Sequence, residues 1–305
     1  SDGAVDLSVS TPGSTITESV LMVGGTSTSY LDAAQVAPTV TLSNMAGSTA
    51  GVLVNLPGAG VKTINSSVAG DTVIVLAGSD QDLTVTTAGG NDRFVTNANA
   101  FTGKDVVDLG GGDKDALELH FGGTGIDLTT ASNANLAGFN ASKNVETAII
   151  DVWATTAETV TFKASDFTSI NDFLIQDTQL DAGNVNNVKD DDISGLIKVT
   201  GVEDADTFTL GTSSTGGLEF AKEGSATKLN LTTSDSLNAV KTDLTENNIS
   251  VTDKSADAFT ANFDLVDNAK VVLTGSVTGT AGNAALTIDG ANGATLDASG
   301  LAVAK

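Results

Sequence analysis

The chain has 305 residues, a formal net charge of −24 and no cysteine. This length suffices for one large domain or two ordinary ones, and no apolar run approaches the roughly 18 residues of a membrane span. The charge disfavours nucleic acid and anionic membranes as partners, because no basic patch is present to neutralise phosphates. Since disulfide bonds are absent, stability must come from sheet packing and bound metal.

The acidic residues are strongly biased towards aspartate, with 30 Asp and 8 Glu against 13 Lys and one Arg. Most aspartates stand beside Gly, Asn or Thr in predicted turns, a setting that suits tight turns and metal ligation. A solvated or salt-adapted acidic surface is the alternative interpretation. The chain does not begin with Met and shows no signal peptide, so we expect a mature or excised piece of a longer protein.

Short strands are predicted along most of the chain, because alternating apolar and polar residues recur between Gly, Asn, Asp and Ser. Two stretches, residues 29–35 and 234–243, predict short helices instead. Residues 1–62, which contain all three prolines, are expected to form a separate N-terminal β module or cap before a solenoid over 63–305. The predicted strands include Val5–Val9, Thr39–Leu42, Thr72–Leu76, Leu83–Thr87, Val160–Phe162 and Val271–Leu273.

The most informative segment is Gly89–Leu117, which contains three Gly-Asp-hydrophobe units. Glycine permits tight turns and exposes backbone carbonyl oxygens, and in the repeat G-G-x-G-x-D-x-U-x glycine and aspartate together bind calcium in parallel β-rolls. Asp92 and Asp115 occupy the aspartate position, and Asp105 belongs to a degenerate third copy. Because Asp113 replaces a glycine of the repeat, we expect one or a few calcium sites and no long regular β-roll. Strand-capping Asp-Gly turns are the alternative.

Residues suited to catalysis are scarce. His120 is the only histidine, and the chain has no cysteine. These residues are too few for a usual zinc site, and the sequence shows no partners for a catalytic triad. A polysaccharide lyase would need paired carboxylates or a base such as Arg93, and sugar clefts usually carry aromatic side chains. Besides phenylalanine the chain has only Trp153 and Tyr30. We therefore predict no catalytic residues and no enzymatic activity.

Two further acidic segments lie in the second half of the chain. Asp190–Asp192 predicts a solvated loop, because neighbouring side chains of an extended segment point to opposite faces and do not grip one ion. Gly201–Phe208 repeats the aspartate-to-hydrophobe spacing at Asp206, and Asp204 adds a carboxylate. This segment predicts a second, weaker calcium site, with a strand-capping turn as the alternative.

Short apolar clusters recur every 20 to 24 residues in the second half, which predicts a β-solenoid. We predict an all-β fold, namely an elongated, irregular right-handed β-solenoid of the parallel β-helix or β-roll kind. An array of antiparallel β-sandwich modules is the alternative, because it also has short strands at regular intervals. The clusters are Ile149-Ile150, Phe173–Ile175, Ile197–Val199, Leu229–Leu231, Ile249–Val251 and Val271–Leu273.

Three segments give the chain a family resemblance. They are the glycine–aspartate turn Gly110–Leu117, the strand start Asn144–Thr147 and the later segment Thr295–Ser299. In this order they resemble a recurring unit of RTX-type surface-layer proteins of Gram-negative bacteria. The resemblance implies a calcium-dependent, lattice-forming exoprotein that is exported by a type I system to the cell surface.

The same resemblance implies which residues bind calcium. The ligands would be the side chains of Asp92, Asp105 and Asp115 and glycine carbonyls of the turns, while Asp113 alters the geometry of the second motif. With the later segment included, the candidate metal-site residues are Gly89, Gly90, Asp92, Asp105, Gly111, Asp113, Asp115, Asp204 and Asp206.

We therefore expect a structural module that self-associates into a lattice or filament on the bacterial cell surface, with Ca²⁺ as its cofactor. Calcium would neutralise carboxylates inside the module and bridge the acidic faces of neighbouring modules. A calcium-dependent adhesin or carbohydrate-binding module, with cell-surface polysaccharide as its partner, is the alternative. A polysaccharide lyase is the less favoured third candidate.

Overall fold

The computed structural model describes residues 18–23, 29–32, 39–44, 49, 51–56, 61–76, 82–122, 125–130, 132–152, 159–177, 193–211, 216–233, 237–253, 259–277, 284–289 and 292–303. This part of the chain is nearly all parallel β-sheet and forms the predicted β-solenoid. Its strand pairs are parallel, so the alternative of antiparallel sandwiches is wrong. The chain divides into two compact units. The described residues of the first lie within Ser1–His120 and Ser132–Ile149, and those of the second within Phe121–Ala131, Ile150–Gln179 and Val188–Lys305.

The first unit alternates its strands between two sheets. Its described elements are β1 (Glu18–Val23), β2 (Ser29–Asp32), β3 (Thr39–Asn44), β4 (Val52–Leu56), β5 (Thr63–Ser66), β6 (Thr72–Leu76), β7 (Thr84–Thr86), β8 (Arg93–Asn97), a short 3-10 helix (Ala98–Ala100), β9 (Val106–Asp108), β10 (Ala116–Phe121) and the helix α1 (Ala134–Ala141). One sheet has the order β1-β3-β5-β7-β9, and the other places β2, β4, β6, β8 and β10 side by side. Each turn of the chain thus adds one strand to each sheet.

The core of the first unit is a stack of inward-facing apolar side chains. Val54 of β4 pairs in register with Ile74 of β6, and Ile74 pairs with Phe94 of β8. Phe94 in turn pairs with Leu117 of β10, and all four side chains are buried. The hydrophobes that follow Asp92 and Asp115 therefore anchor their strands in the core, as the repeat predicts.

Helix α1 was not predicted from the sequence. It begins after Asn133, whose side chain accepts hydrogen bonds from the backbone N–H groups of Asn135 and Leu136. Phe139 on its buried side meets Phe101 edge to face, with ring centroids 6.5 Å apart. The helix therefore owes its position to a capped start and an aromatic contact, since it is too short to be stable alone.

The second unit also alternates its strands. The remaining described elements are β11 (Gly125–Leu128), β12 (Thr147–Val152), β13 (Thr159–Lys163), a 3-10 helix (Ala164–Asp166), β14 (Asp172–Gln176), β15 (Ile197–Val202), β16 (Thr207–Leu210), β17 (Leu218–Lys222), β18 (Lys228–Thr233), β19 (Leu237–Thr242), β20 (Glu246–Asp253), β21 (Phe259–Leu265), β22 (Lys270–Val277), β23 (Ala284–Asp289) and β24 (Thr295–Val303). A seven-stranded sheet has the order β11-β13-β15-β17-β19-β21-β23, and the even strands β14 to β24 lie side by side in sequence order.

Phenylalanines fill part of the core of the second unit. Phe173 and Phe208 pair in register and stack with centroids 5.4 Å apart and an interplanar angle of 14°. Phe162 lies 5.2 Å from Phe173, and Phe220 lies 5.2 Å from Phe208. Because this stack bridges the two sheets of the unit, it holds the two layers together.

Both predicted helices are wrong where the structure describes them. Within residues 29–35 the chain forms β2, and within 234–243 it forms β19. The physical reason is pairing: Leu31 of β2 lies in register with Val54, and Val240 of β19 with Phe263. A neighbouring strand satisfies the backbone along its whole length, which a helix of two turns does not.

Other expectations concern residues that are partly or wholly outside the described part. Val5–Val9 lies outside it, and the separate cap over residues 1–62 stays a prediction. Within the described ranges, no helix has both the length and the apolar character needed to cross a membrane.

Candidate metal centre

Successive turns of the first unit place an acidic residue at the same corner. Strands β6, β8 and β10 are each directly preceded by an aspartate, namely Asp71, Asp92 and Asp115. Glu146 continues the series, because its backbone N–H donates to the carbonyl oxygen of Asp115. We call these four residues the acidic corner.

Hydrogen bonds between neighbouring turns explain why acids stand at this corner. The backbone N–H of Thr72 donates to Asp92 Oδ1 at 2.6 Å, and that of Asp92 donates to Asp115 Oδ1 at 2.6 Å. The backbone N–H of Asp115 donates to Glu146 Oε2 at 2.8 Å. Each carboxylate thereby accepts an N–H of the turn before it, at or directly before the first residue of a strand.

The second oxygen of two of these carboxylates has no partner. Asp92 and Asp115 are 1% and 0% exposed, and the Oδ2 atom of each is buried without a hydrogen bond. Among the described residues no salt bridge reaches the acidic corner. Each carboxylate accepts a backbone N–H through one oxygen only, and burying the other oxygen without a hydrogen bond is costly when the group is ionised.

The surroundings raise the pKa of both buried aspartates. Burial raises the pKa of Asp92, and the Thr87 side chain and the backbone N–H of Thr72 offset this only in part. Burial also raises the pKa of Asp115 to about 6, and repulsion from Asp92, Glu146 and Asp71 adds to the rise. The corner therefore favours either protons or a cation over bare negative charge.

Gly112 packs closely against Gly90 and Asp115. A Cβ atom on Gly112 would lie 2.2 Å from the carbonyl oxygen of Gly90, 2.8 Å from Asp115 Oδ1 and 3.1 Å from Asp115 Oδ2. A side chain at this position would therefore clash, and glycine allows the backbone to approach the Gly90 carbonyl oxygen and the Asp115 carboxylate together. Gly90 itself has φ of +105°, a conformation that favours glycine and fixes the direction of its carbonyl group.

The other glycines of the predicted site hold adjacent turns together. Gly89 and Gly111 form a parallel bridge, and the backbone N–H of Gly90 donates to the carbonyl oxygen of Gly111 at 3.2 Å. Gly111 donates in turn to Ala88 at 2.8 Å. The structure thus brings Gly89, Gly90 and Gly111 to the same turns as Asp92 and Asp115. An all-oxygen set of carboxylates and carbonyls at a flexible turn is the kind of environment that calcium accepts.

Asp113 and Asp105 lie in different settings. Asp113 is exposed at the bend, where its backbone N–H donates to Asn91 Oδ1 at 3.4 Å. Asp105 precedes β9 in the other sheet; its Oδ1 accepts from Leu83 N at 2.8 Å and its Oδ2 from Thr102 N at 2.7 Å. Both oxygens of Asp105 are therefore engaged with the backbone, and its role as a metal ligand stays a prediction.

The predicted site of the second unit is built differently. Asp204 is exposed, and its Oδ1 accepts from Thr227 N at 2.7 Å and Lys228 N at 2.9 Å, which lowers its pKa. Asp206 is 4% exposed and its Oδ2 accepts from Glu203 N at 2.8 Å. Burial raises the pKa of Asp206 to about 6, with repulsion from Glu203 and Asp172 adding to it.

His120 takes part in a buried polar cluster. Its Nε2 lies 2.7 Å from Glu118 Oε1, and the other oxygen of Glu118 accepts hydrogen bonds from Arg93. These contacts lower the pKa of Glu118 against the opposing effect of burial. Asp190–Asp192 and Trp153 lie outside the described residues, so the predictions made for them are unchanged.

Three contributors to the corner were missed in the sequence. Asp71 and Glu146 lie outside the Gly89–Leu117 segment, and Gly112 was not distinguished from its neighbours. A usable signal exists, because Asp71 precedes a predicted strand and stands 21 residues before Asp92, about one turn of the chain. Comparison with known proteins adds nothing here: neither protein-family models, nor curated proteins, nor solved structures give a match.

Proposed function

We propose that this chain is a structural module of a bacterial surface layer, and that calcium stabilises its β-solenoid and mediates its self-association. The observation that carries the proposal is that Oδ2 of Asp92 and Oδ2 of Asp115 are buried without a hydrogen bond, while the Asp115 carboxylate and the Gly90 carbonyl oxygen both lie close to Gly112. The resemblance to RTX-type surface-layer proteins supports the same conclusion from the sequence.

Calcium would be held chiefly by the carboxylates of Asp115 and Asp92 and by the carbonyl oxygen of Gly90. Asp71 and Glu146, which form no salt bridge among the described residues, would add negative charge around the ion. The bound ion supplies the positive charge that this corner lacks, so ionised carboxylates remain on adjacent turns without repulsion. Its binding free energy then adds to the free energy of folding.

Calcium would also act between modules. At a net charge of −24 two copies repel each other at long range, and divalent cations reduce that repulsion and bridge carboxylates of facing surfaces. A protein of this kind belongs outside the cell, where calcium is abundant, and coupling of folding to calcium keeps the chain unfolded before export. We assign it no enzymatic activity.

The test compares the wild type with Asp115→Asn and with Asp127→Asn as a control. Asp127 is an exposed aspartate of β11 whose Oδ1 accepts from Thr129 N, so its substitution removes the same charge outside the Gly89–Leu117 segment. Calorimetric titration and thermal unfolding are followed in chelator and in calcium. At calcium 100 times the Kd we expect about 2.7 kcal/mol of added stability for the wild type and for Asp127→Asn. Asp115→Asn should gain much less, and magnesium should replace calcium poorly.

Light scattering in the same buffers tests assembly. We expect reversible self-association of the wild type that appears with calcium and disappears with chelator. Unchanged melting after exhaustive chelation would contradict the calcium site. Calcium binding without any self-association would leave the site standing and remove the lattice role. The alternative function, a carbohydrate-binding module, is favoured by a different surface, which belongs to the second unit.

A further inference from the structure

The outward face of strands β16, β18, β20 and β22 carries two rows of uncharged polar side chains. Outward positions alternate with the buried core residues Phe208, Leu231, Ile249 and Leu273, so the rows face solvent. Strand register aligns one row through Thr207, Asn230 and Asn248, and the other through Thr209, Thr232, Ser250 and Thr274. We call them the polar rows.

Charged residues bound the polar rows but do not interrupt them. On β14 the register partner of Thr207 is Asp172, and on β24 the first row ends at Asp297, the partner of Val272. Between these ends, Val272 is the only apolar member, and it is half-buried next to Asn248. The surface is therefore a stretch of hydroxyl and amide groups with one apolar patch.

The opposite sheet of the same unit shows that this composition is not a general property of the fold. There the outward register positions run Lys198, Glu219, Lys241 and Asp264, with alternating charge. Lys198 and Glu219 form an ion pair at 3.9 Å. Alternating charges stabilise parallel strands by cross-strand pairing. The polar rows have no such charged pairs, although the other sheet of the same unit does.

Two adjoining depressions follow the polar rows. One has a volume of about 220 Å³ and is lined by members of both rows together with Val272. The other, of about 460 Å³, lies at the strand starts and is lined by Thr245, Glu246, Asn248, Asn268 and Lys270 among others. Asn248 and Val272 belong to both, so the two form one surface depression, the polar groove.

The chemistry of the groove selects a class of ligand. Hydroxyl and amide side chains both donate and accept hydrogen bonds, and Asn248 uses one donor on Asn230 Oδ1 at 3.3 Å, which leaves further capacity. An anionic ligand is disfavoured by the net charge of −24, and the rows contain no carboxylate for a cation. A neutral ligand rich in hydroxyl groups satisfies these groups, and the apolar face of a sugar ring fits against Val272.

The repeat of the groove also matches such a ligand. Neighbouring strands are about 4.8 Å apart, so each row offers one polar side chain per strand at this interval. One sugar unit of an extended, β-linked chain has a similar length. We infer that the polar groove binds an uncharged, linear, β-linked polysaccharide that lies across strands β16 to β22. This inference goes beyond the proposed structural role and requires no bound calcium.

The experiment uses the full chain in chelator, which separates this inference from the calcium site, and a parallel series uses an acidic glycan in calcium. Soluble hydroxyethylcellulose is the probe, and binding is measured by affinity electrophoresis and by calorimetry with neutral β-linked oligosaccharides. The variant Asn248→Ala with Thr232→Ala removes one member of each row. The control, Asn262→Ala with Thr287→Ala, removes an exposed register pair from the seven-stranded sheet. Circular dichroism and melting confirm that both variants fold.

We expect saturable binding by the wild type and by the control, and at least about tenfold weaker binding by the groove variant, since each lost hydrogen bond costs about 1 kcal/mol. Three results would overturn the inference: no retention by any neutral β-linked glycan, equal retention of groove variant and control, or retention only by acidic glycans in the presence of calcium. The last would assign glycan binding to the acidic corner.

Discussion

The acidic corner of the first unit and the Asp204–Asp206 turn of the second arise from the same sequence pattern, an aspartate two residues before a buried hydrophobe. In both, an aspartate next to a strand is buried and accepts a backbone N–H. The Oδ2 atoms of Asp92 and Asp115 at the corner are buried without a hydrogen bond, whereas neither Asp204 nor Asp206 has such an oxygen.

The difference between the two regions lies in their glycines. At the corner, the lack of a Cβ on Gly112 lets its backbone lie close to both the Gly90 carbonyl oxygen and the Asp115 carboxylate. In the second unit, a Cβ on Gly201 would meet the side chains of Ser165 and Lys163, with no carboxylate among its nearest atoms. The aspartate spacing thus specifies a capped strand start, and the glycine arrangement of the corner brings a carbonyl oxygen close to a carboxylate.

The strongest test of this distinction is to add a side chain at Gly112. Gly112→Ala puts a methyl group 2.2 Å from the Gly90 carbonyl oxygen, so it must displace the backbone or the Asp115 side chain. We expect calcium affinity to fall at least about tenfold and stability in chelator to fall by about 1–3 kcal/mol, as for other overpacked sites. Isothermal titration and urea unfolding measure the two effects.

Gly111→Ala is the matched control, because a Cβ there would meet nothing closer than 3.9 Å. It keeps the backbone carbonyl and adds the same methyl group one residue away. We expect wild-type calcium affinity for this variant. Equal losses in the two variants would mean that the close approach of Gly112 to Gly90 and Asp115 does not determine calcium binding.

The sequence predicts the fold through two periodicities. Alternation of apolar and polar residues marks the short strands, and the recurrence of apolar clusters about every 20 to 24 residues marks one turn of a solenoid. Thr72–Leu76 was predicted with its observed bounds. The helices predicted for residues 29–35 and 234–243 are wrong. The local pattern favours a helix, but pairing with the strand of a neighbouring turn makes these residues strands.

The candidate site is only partly visible in the sequence, because stacking of turns brings distant residues together. Asp92 and Asp115 follow from the repeat, but Glu146 lies 31 residues after Asp115, because β10, β11 and helix α1 occupy the intervening residues. The exact pairing of Asp92 with Thr72 depends on strand register, which short apolar clusters do not fix by themselves. The orphaned oxygens are a consequence of that register.

A prediction of intermediate size concerns pH and the second region. The pKa of Asp206 is raised from 3.8 to about 6 in the folded chain, so the folded state binds more protons than the unfolded state between these values. Its contribution to the free energy of unfolding therefore falls as the pH rises from about 4 to about 6. Asp206→Asn should flatten this decline in urea unfolding at pH 4.5, 5.5 and 6.5, values chosen to bracket the window.

Asp204→Asn is the control for that measurement. The pKa of Asp204 is lowered by its bonds to the N–H groups of Thr227 and Lys228, so its stabilising contribution is lost only below the window. We expect its slope between pH 4.5 and 6.5 to match that of the wild type. Calcium should suppress the part of the slope due to Asp115 and leave the part due to Asp206, which separates the two regions in one titration.

The smallest expected effect belongs to Asp105, which the resemblance placed among the calcium ligands. Its two oxygens accept from Leu83 N and Thr102 N, and asparagine has a single carbonyl oxygen, so Asp105→Asn loses one of these bonds. We expect a loss of about 1–2 kcal/mol in urea unfolding and calcium affinity within about twofold of the wild type. A loss of affinity as large as that of Asp115→Asn would instead make Asp105 a ligand. The aspartate spacing would then carry calcium binding even where both carboxylate oxygens already serve the backbone, and the glycine arrangement would not be the deciding feature.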